Sequence, residues 1–127
     1  MGTGCTLTTI TLGTPAVFGL ATFYSRLLGW DPPRPVAEDE DWLGLRNSDG
    51  GIGLAFQLEP THVRPVWPQN ADDQQMQVHL EVMVDDLEAG VAHALACGAT
   101  LAGFQPQDDV RVCLDPAGHP FCLWIEL

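Results

Sequence analysis

Hydrophobic positions recur along this chain with two periods. Ala16, Val17, Leu20, Phe23, Tyr24, Leu27 and Leu28 fall at helical spacing. Thr14-Pro15 ahead of them reads as an N-cap and first turn, and Gly29 closes the run. Leu87, Val91, Leu95 and Ala96 repeat the helical spacing behind Asp85-Asp86, and Gly98 ends it. Each predicted helix follows a β-rich run, TLTTITL at 6–12 and QVHLEVMV at 77–84. Here the period is two. Thr8, Ile10 and Leu12 oppose Leu7, Thr9 and Thr11, while Val78, Leu80, Val82 and Val84 oppose Gln77, His79, Glu81 and Met83. The same alternation sets Ile52, Leu54, Phe56 and Leu58 against Gly53, Ala55, Gln57 and Glu59. Phe121, Leu123, Ile125 and Leu127 oppose Cys122, Trp124 and Glu126 in the same way.

The order of elements is written twice. DWLGLRNSDGGIGLAFQL (41–58) and DVRVCLDPAGHPFCLWIEL (109–127) share the form strand, Asp/Gly turn, strand. The pattern predicts an α+β fold of two βαβββ modules forming a curved mixed sheet with a central cleft. It predicts one domain over 1–127, with module one at about 5–58, a crossing loop at 59–76 and module two at 77–127. The crossing loop has no periodicity and three prolines, and long aperiodic loops are often functional. Each strand has an apolar face suited to packing under a helix and a mixed polar face that must meet water or a cavity. The mixed faces are therefore expected to line the cleft, which becomes the candidate site.

Composition narrows the partners. Formal net charge is −12, from 17 acidic residues against five basic ones, so nucleic acid and anionic membrane surfaces are not expected partners. The only acidic run, EDED at 38–41, reads as a solvated loop. No apolar run has transmembrane length, and the first residues lack the basic and apolar regions of a signal peptide. Cys5, Cys97, Cys113 and Cys122 form no C-x-x-C pair and are expected to be reduced thiols in a cytoplasm.

FYSRLLGW (23–30), VHLEVMVDDLEAGVAHALACGAT (78–100) and DPAGHPFCLW (115–124) resemble the vicinal oxygen chelate superfamily. This superfamily includes glyoxalase I, bleomycin-resistance proteins, fosfomycin-resistance enzymes and extradiol dioxygenases. The nearest resemblance is to small actinobacterial glyoxalase-like proteins, and it runs from about Thr6 to Leu127. In metal-dependent members the concave strands supply His, Gln or Glu ligands. The resemblance puts Thr9 at the first ligand position, fourteen residues before Phe23. The second falls on Ala55 or Gln57, the third on His79, and the fourth on Cys122, seven residues after Asp115. Only His79 is a standard ligand, so the resemblance keeps the fold and loses most of the ligand set.

Hard catalytic ions such as Mn or Fe want imidazole and carboxylate donors. The residues thus imply no metal and no cofactor, although Glu59, Glu81 and Glu126 share the mixed faces as substitute donors. Cys122 reads as cavity lining, with a nucleophile activated by His79 as the sharper alternative. His62, His93 and His119 have no partner at a diagnostic spacing. Among four tryptophans, Trp124 and Trp67 suit stacking on a planar ligand, and Trp30 and Trp42 suit packing.

The expected function is metal-independent small-molecule binding in the cleft between the modules, as in the bleomycin-resistance branch. The expected ligand contacts are His79, Gln57, Trp124, Cys122, Thr9 and Trp67. The alternatives are a divalent-metal-dependent lyase, isomerase or dioxygenase, or a metal-free enzyme using His79 as general base. Members of the superfamily often complete their clefts as dimers, and a homodimer is expected.

Overall fold

The computed structural model describes residues 2–37 and 39–126. Glu38 of the acidic run and Leu127 of the last strand's apolar face lie outside the described residues, as does Met1. The rest of that run is polar surface: Asp39 and Asp41 are exposed, and Glu40 pairs with Arg34 at 3.2 Å. The chain divides into two compact units, Met1–Thr61 and His62–Leu127.

The first unit contains β1 (Thr9–Thr14), α1 (Val17–Leu28), β2 (Trp42–Leu45) and β3 (Gly53–Leu58). Its sheet runs β1-β3-β2, with β1 parallel and β2 antiparallel to β3. The predicted apolar spacing is the packed face of α1: Val17, Leu20, Ala21, Phe23, Tyr24 and Leu27 are all buried. They meet the strands that carry buried Leu43, Leu45, Leu54 and Phe56, with the Tyr24 ring stacked on Phe56 at 5.8 Å. Gly29 ends the helix in the left-handed region, as expected for a residue without a Cβ. The N-cap differs. Thr14 is the last residue of β1, and its hydroxyl accepts the Ala16 N–H at 3.0 Å, so the helix starts two residues later with Ala16 as cap. Three strands are described in this unit. In the second unit a short strand follows the helix directly. Here the same position holds Asp31-Pro-Pro-Arg-Pro35, where three missing N–H groups rule out a paired ladder.

The second unit contains β4 (Leu80–Met83), α2 (Leu87–Cys97), β5 (Thr100–Leu101), β6 (Val110–Leu114) and β7 (Pro120–Trp124). Its sheet runs β4-β7-β6-β5; β4 and β7 are parallel, and the other pairs are antiparallel. Asp86 caps α2 by accepting the Ala89 N–H at 2.8 Å. The buried face of α2 is rotated from the predicted one. Ala94 is fully buried, whereas Leu95 and Ala96 face outward, Leu95 being 44% exposed. Gly90 explains the rotation, because a Cβ there would meet Val84 at 3.0–3.2 Å. The helix therefore lies down on its small residues. Phe121, Leu123 and Cys113 are fully buried on the sheet face toward α2.

The DPAGH turn joins β6 to β7 and is more than a spacer. Asp115 is buried, and its Oδ1 accepts the Ala117 and His119 N–H groups at 2.9 and 3.0 Å. Gly118 completes the turn at φ 87°. The start of the crossing loop is tied to this turn. Arg64 donates to the Pro116 carbonyl at 2.8 Å, and His62 Nε2 lies 2.8 Å from the Ala117 carbonyl. The His62 and His119 rings are 5.2 Å apart, and His119 is half-buried rather than free in the turn.

Candidate functional site

The parallel register of β4 and β7 makes Glu81 and Cys122 direct cross-strand partners, with Val112 of β6 beside Cys122. Alternation then sends all three side chains to the sheet face opposite α2. His79 precedes β4 by one residue and lies on the same side, two positions from Glu81. Its Nε2 is 2.9 Å from Glu81 Oε2. The His79, Glu81 and Cys122 ligand atoms all lie within 4.8 Å of one another.

A half-open cavity of about 180 Å³ stands over this group. The sheet gives it Val110, Val112 and Pro120 as apolar floor around Glu81 and Cys122. The crossing loop contributes Trp67 and Met76, and the loop before β6 contributes Pro106 and Gln107. Local hydrogen bonds hold both loops. Gln105 acts as an extra strand residue, accepting the Val112 N–H and donating to the Val112 and Ala102 carbonyls at 2.8–2.9 Å. Val66 donates to the Gln74 carbonyl at 2.8 Å, closing the loop that presents Trp67. The Trp67 ring leans on Phe104 at 6.3 Å, and its indole N–H is buried with no hydrogen-bond partner among the described residues.

Burial pushes the Cys122 thiol up to about 12, helped by the Glu81 charge, by its hydrogen bond to Glu81, and by Cys113. Cys122 therefore stays a protonated donor to the carboxylate at neutral pH, which argues against the nucleophile alternative. Cys113, on the helix side, is pushed up to about 11 by burial alone.

The predicted contacts Trp124, Thr9 and Gln57 are not among the residues lining this cavity. Trp124 shares the open face with Cys122 and pairs with Met83 and Val110, but it is not among the residues lining the cavity. Thr9 and Gln57 both belong to the first unit. Thr9 pairs with Gly53 and Gln57 with Gly13, so four strand positions, roughly 13 Å, separate them. Gln57 donates to Glu59 at 2.7 Å. Ala55, the other second-position candidate, is fully buried. Thr9 lines a shallow cavity of about 410 Å³ with Thr8, Trp42 and Asn47.

Strand spacing alone sets Glu81 roughly 7 Å from the expected ligand point, but its side chain crosses that gap to reach His79. Its membership of the site was visible in the His-x-Glu alternation. Its pairing with Cys122 was not, because a parallel register between distant strands leaves no local mark. Met76 and Gln107 carried no sequence signal, since both lie in aperiodic loops. As metal donors, one imidazole, one carboxylate and one thiol do not fit a hard Mn or Fe ion. They do fit a zinc-type ion, which takes all three donor types.

A model of the Glyoxalase-like domain family matches residues 9–124. Among solved structures, the chain is similar to a glyoxalase/bleomycin resistance protein/dioxygenase family enzyme from Burkholderia phytofirmans PsJN. That pair has a TM-score of 0.67 and 20% identity, covering 97% of this chain and 100% of that one. A glyoxalase/bleomycin resistance protein from Albidiferax ferrireducens T118 gives 0.61 at 16% identity, covering 95% and 98%. TnmS3, an antibiotic binding protein from Streptomyces sp. CB03234, gives 0.56 at 16% identity, covering all of both chains. At these identities the likeness is one of fold. No curated protein sequence matches the chain.

Proposed function

The chain belongs to the Glyoxalase-like domain family, and on that premise we propose that it is a small-molecule-binding protein whose ligand rests on the open face of the second unit's sheet. The observation that carries this reading is the cavity itself, with apolar walls around a convergent polar group. Trp67, Met76 and Val110 supply dispersion and ring stacking. His79 and Glu81 supply a hydrogen-bonding pair that fixes orientation.

The volume is small. About 180 Å³ seats one ring or a short arm, with the rest of a larger ligand outside. No arginine lines the cavity, the chain has no lysine, and Glu81 is acidic, so a neutral or cationic planar group is favoured over an anion. Binding of this kind rests on apolar contact and hydrogen bonds and needs no metal. The antibiotic-binding neighbour TnmS3 supports the class of function.

The test is a screen of neutral and cationic aromatic compounds read by tryptophan fluorescence, with and without chelator. The expected hit binds equally in both conditions. It binds more weakly by about tenfold or more in Trp67→Ala and in His79→Ala. Unchanged affinity in both variants would reject the assignment.

A further inference from the structure

The first unit has an open sheet face of its own, and the shallow cavity of about 410 Å³ lies on it. Trp42, Gly44 and Arg46 alternate with Leu43 and Leu45, which are buried toward α1, so the first three share the open face. Two glycines keep the floor bare. A Cβ on Gly44 would stand 3.0 Å from Cη2 of Trp42, so the indole lies back along β2 over the position between itself and Arg46. A Cβ on Gly53 would meet the Leu45 carbonyl oxygen at 2.9 Å and stand 3.9 Å from the Arg46 Cα, so a glycine there leaves the space beside Arg46 open. The indole stays 49% exposed.

Arg46 itself is the second observation. The chain has five basic residues, all arginines. Arg34 pairs with Glu40, Arg64 and Arg111 donate to backbone carbonyls, and Arg26 sits in the last turn of α1. Arg46 is exposed, lines the cavity, and makes no ion pair or side-chain hydrogen bond among the described residues. The chain has 17 acidic residues, yet no acidic side chain lines this cavity. An uncompensated guanidinium offers a planar fork of donors to an anion, and the flat ring beside it offers a stacking surface. One guanidinium balances one negative charge, which suits a carboxylate better than a phosphate dianion.

We infer that Trp42 and Arg46 form a second binding site, in the first unit, for a planar aromatic carboxylate. The ligand ring lies against the Trp42 indole, and the two carboxylate oxygens accept N–H groups of the Arg46 guanidinium. This site takes the opposite charge class from the one favoured beside Glu81 and shares no residue with that cavity. It stands or falls independently of the ligand reading for the second unit.

The experiment is titration of the full chain with 2-naphthoate, read by amide and indole N–H chemical shifts, with 2-naphthamide as the uncharged control. The expected result is saturable shifts at Trp42, Gly44, Arg46 and Gly53, with naphthamide binding more weakly by about tenfold or more. Arg46→Gln lowers naphthoate affinity to that of naphthamide, and Arg46→Lys recovers part of it through charge alone. Trp42→Ala weakens both compounds by about tenfold, and Trp67→Ala leaves naphthoate binding unchanged. Unshifted amides away from each substitution show that the variants keep the fold. Wild type without saturable shifts overturns the inference. So do shifts gathered on the second unit, equal affinity for naphthamide, or wild-type affinity in Arg46→Gln.

Discussion

The thiol of Cys122 donates its proton to a hydrogen bond with the Glu81 carboxylate. Desolvation and Glu81 both oppose the thiolate, so the residue is a poor nucleophile at neutral pH. With iodoacetamide at about pH 8, exposed Cys5 is expected to alkylate readily while Cys122 and Cys113 stay unmodified. Reactivity at Cys122 is expected to rise only as pH approaches its raised value of about 12. Peptide mapping by mass spectrometry reads the order, and labelling of Cys122 as fast as Cys5 would contradict the account. The two tryptophans given ligand roles part at this scale. Trp67 lines the cavity; Trp124 lies on the same face one pleat further along β7, beside Met83 and Val110. Alternation correctly put Trp124 on the open face. It carries no information on which loops arch over that face, and those loops decide where the cavity is.

Among the elements, the β6–β7 turn does the most to set the site. It fixes the register that places Cys122 next to Val112, and it anchors the loop that carries Trp67 through Arg64 and His62. Asp115 holds the turn from inside. Asp115→Ala leaves the Ala117 and His119 N–H groups without their acceptor and is expected to cost about 1–3 kcal/mol. A lower denaturant midpoint at unchanged slope is the expected reading, and an unchanged midpoint would contradict it. The Asp-Pro-Ala-Gly string marked this turn legibly. The string could not show that its carbonyls bind residues some fifty positions upstream, because those partners sit in a loop without periodicity. Of the two helices, α1 was read in the right face because large residues mark it. α2 was read with its face rotated at the Leu95–Ala96 end, because it packs through Ala94 and Gly90, and small residues give a weak hydrophobic signal.

At the scale of the whole molecule, the doubled order of elements was the strongest signal and led to the right fold class, and the strings at 23–30, 78–100 and 115–124 led to the family. The sequence pattern overcounted strands only where prolines interrupt the first unit. Surface chemistry adds one expectation. Strands β2 and β4 are edges within their own sheets, and Trp42 and Met83 on them are 49% and 56% exposed. Exposed apolar side chains on strands that end a sheet suit association with a second copy. Light scattering is expected to give twice the 13.8 kDa chain mass, and a monomer at high micromolar concentration would contradict that expectation. None of the helices described is long and apolar enough to cross a membrane.

The central claim is that ligand binding belongs to the open face of the second unit. Amide chemical-shift mapping of the full chain with a confirmed hit compound tests it most directly. The account predicts shifts gathered on Trp67, Met76, His79, Glu81, Val112 and Cys122. Shifts gathered instead on Thr8, Thr9, Trp42 and Asn47, around the shallow cavity of the first unit, would contradict it.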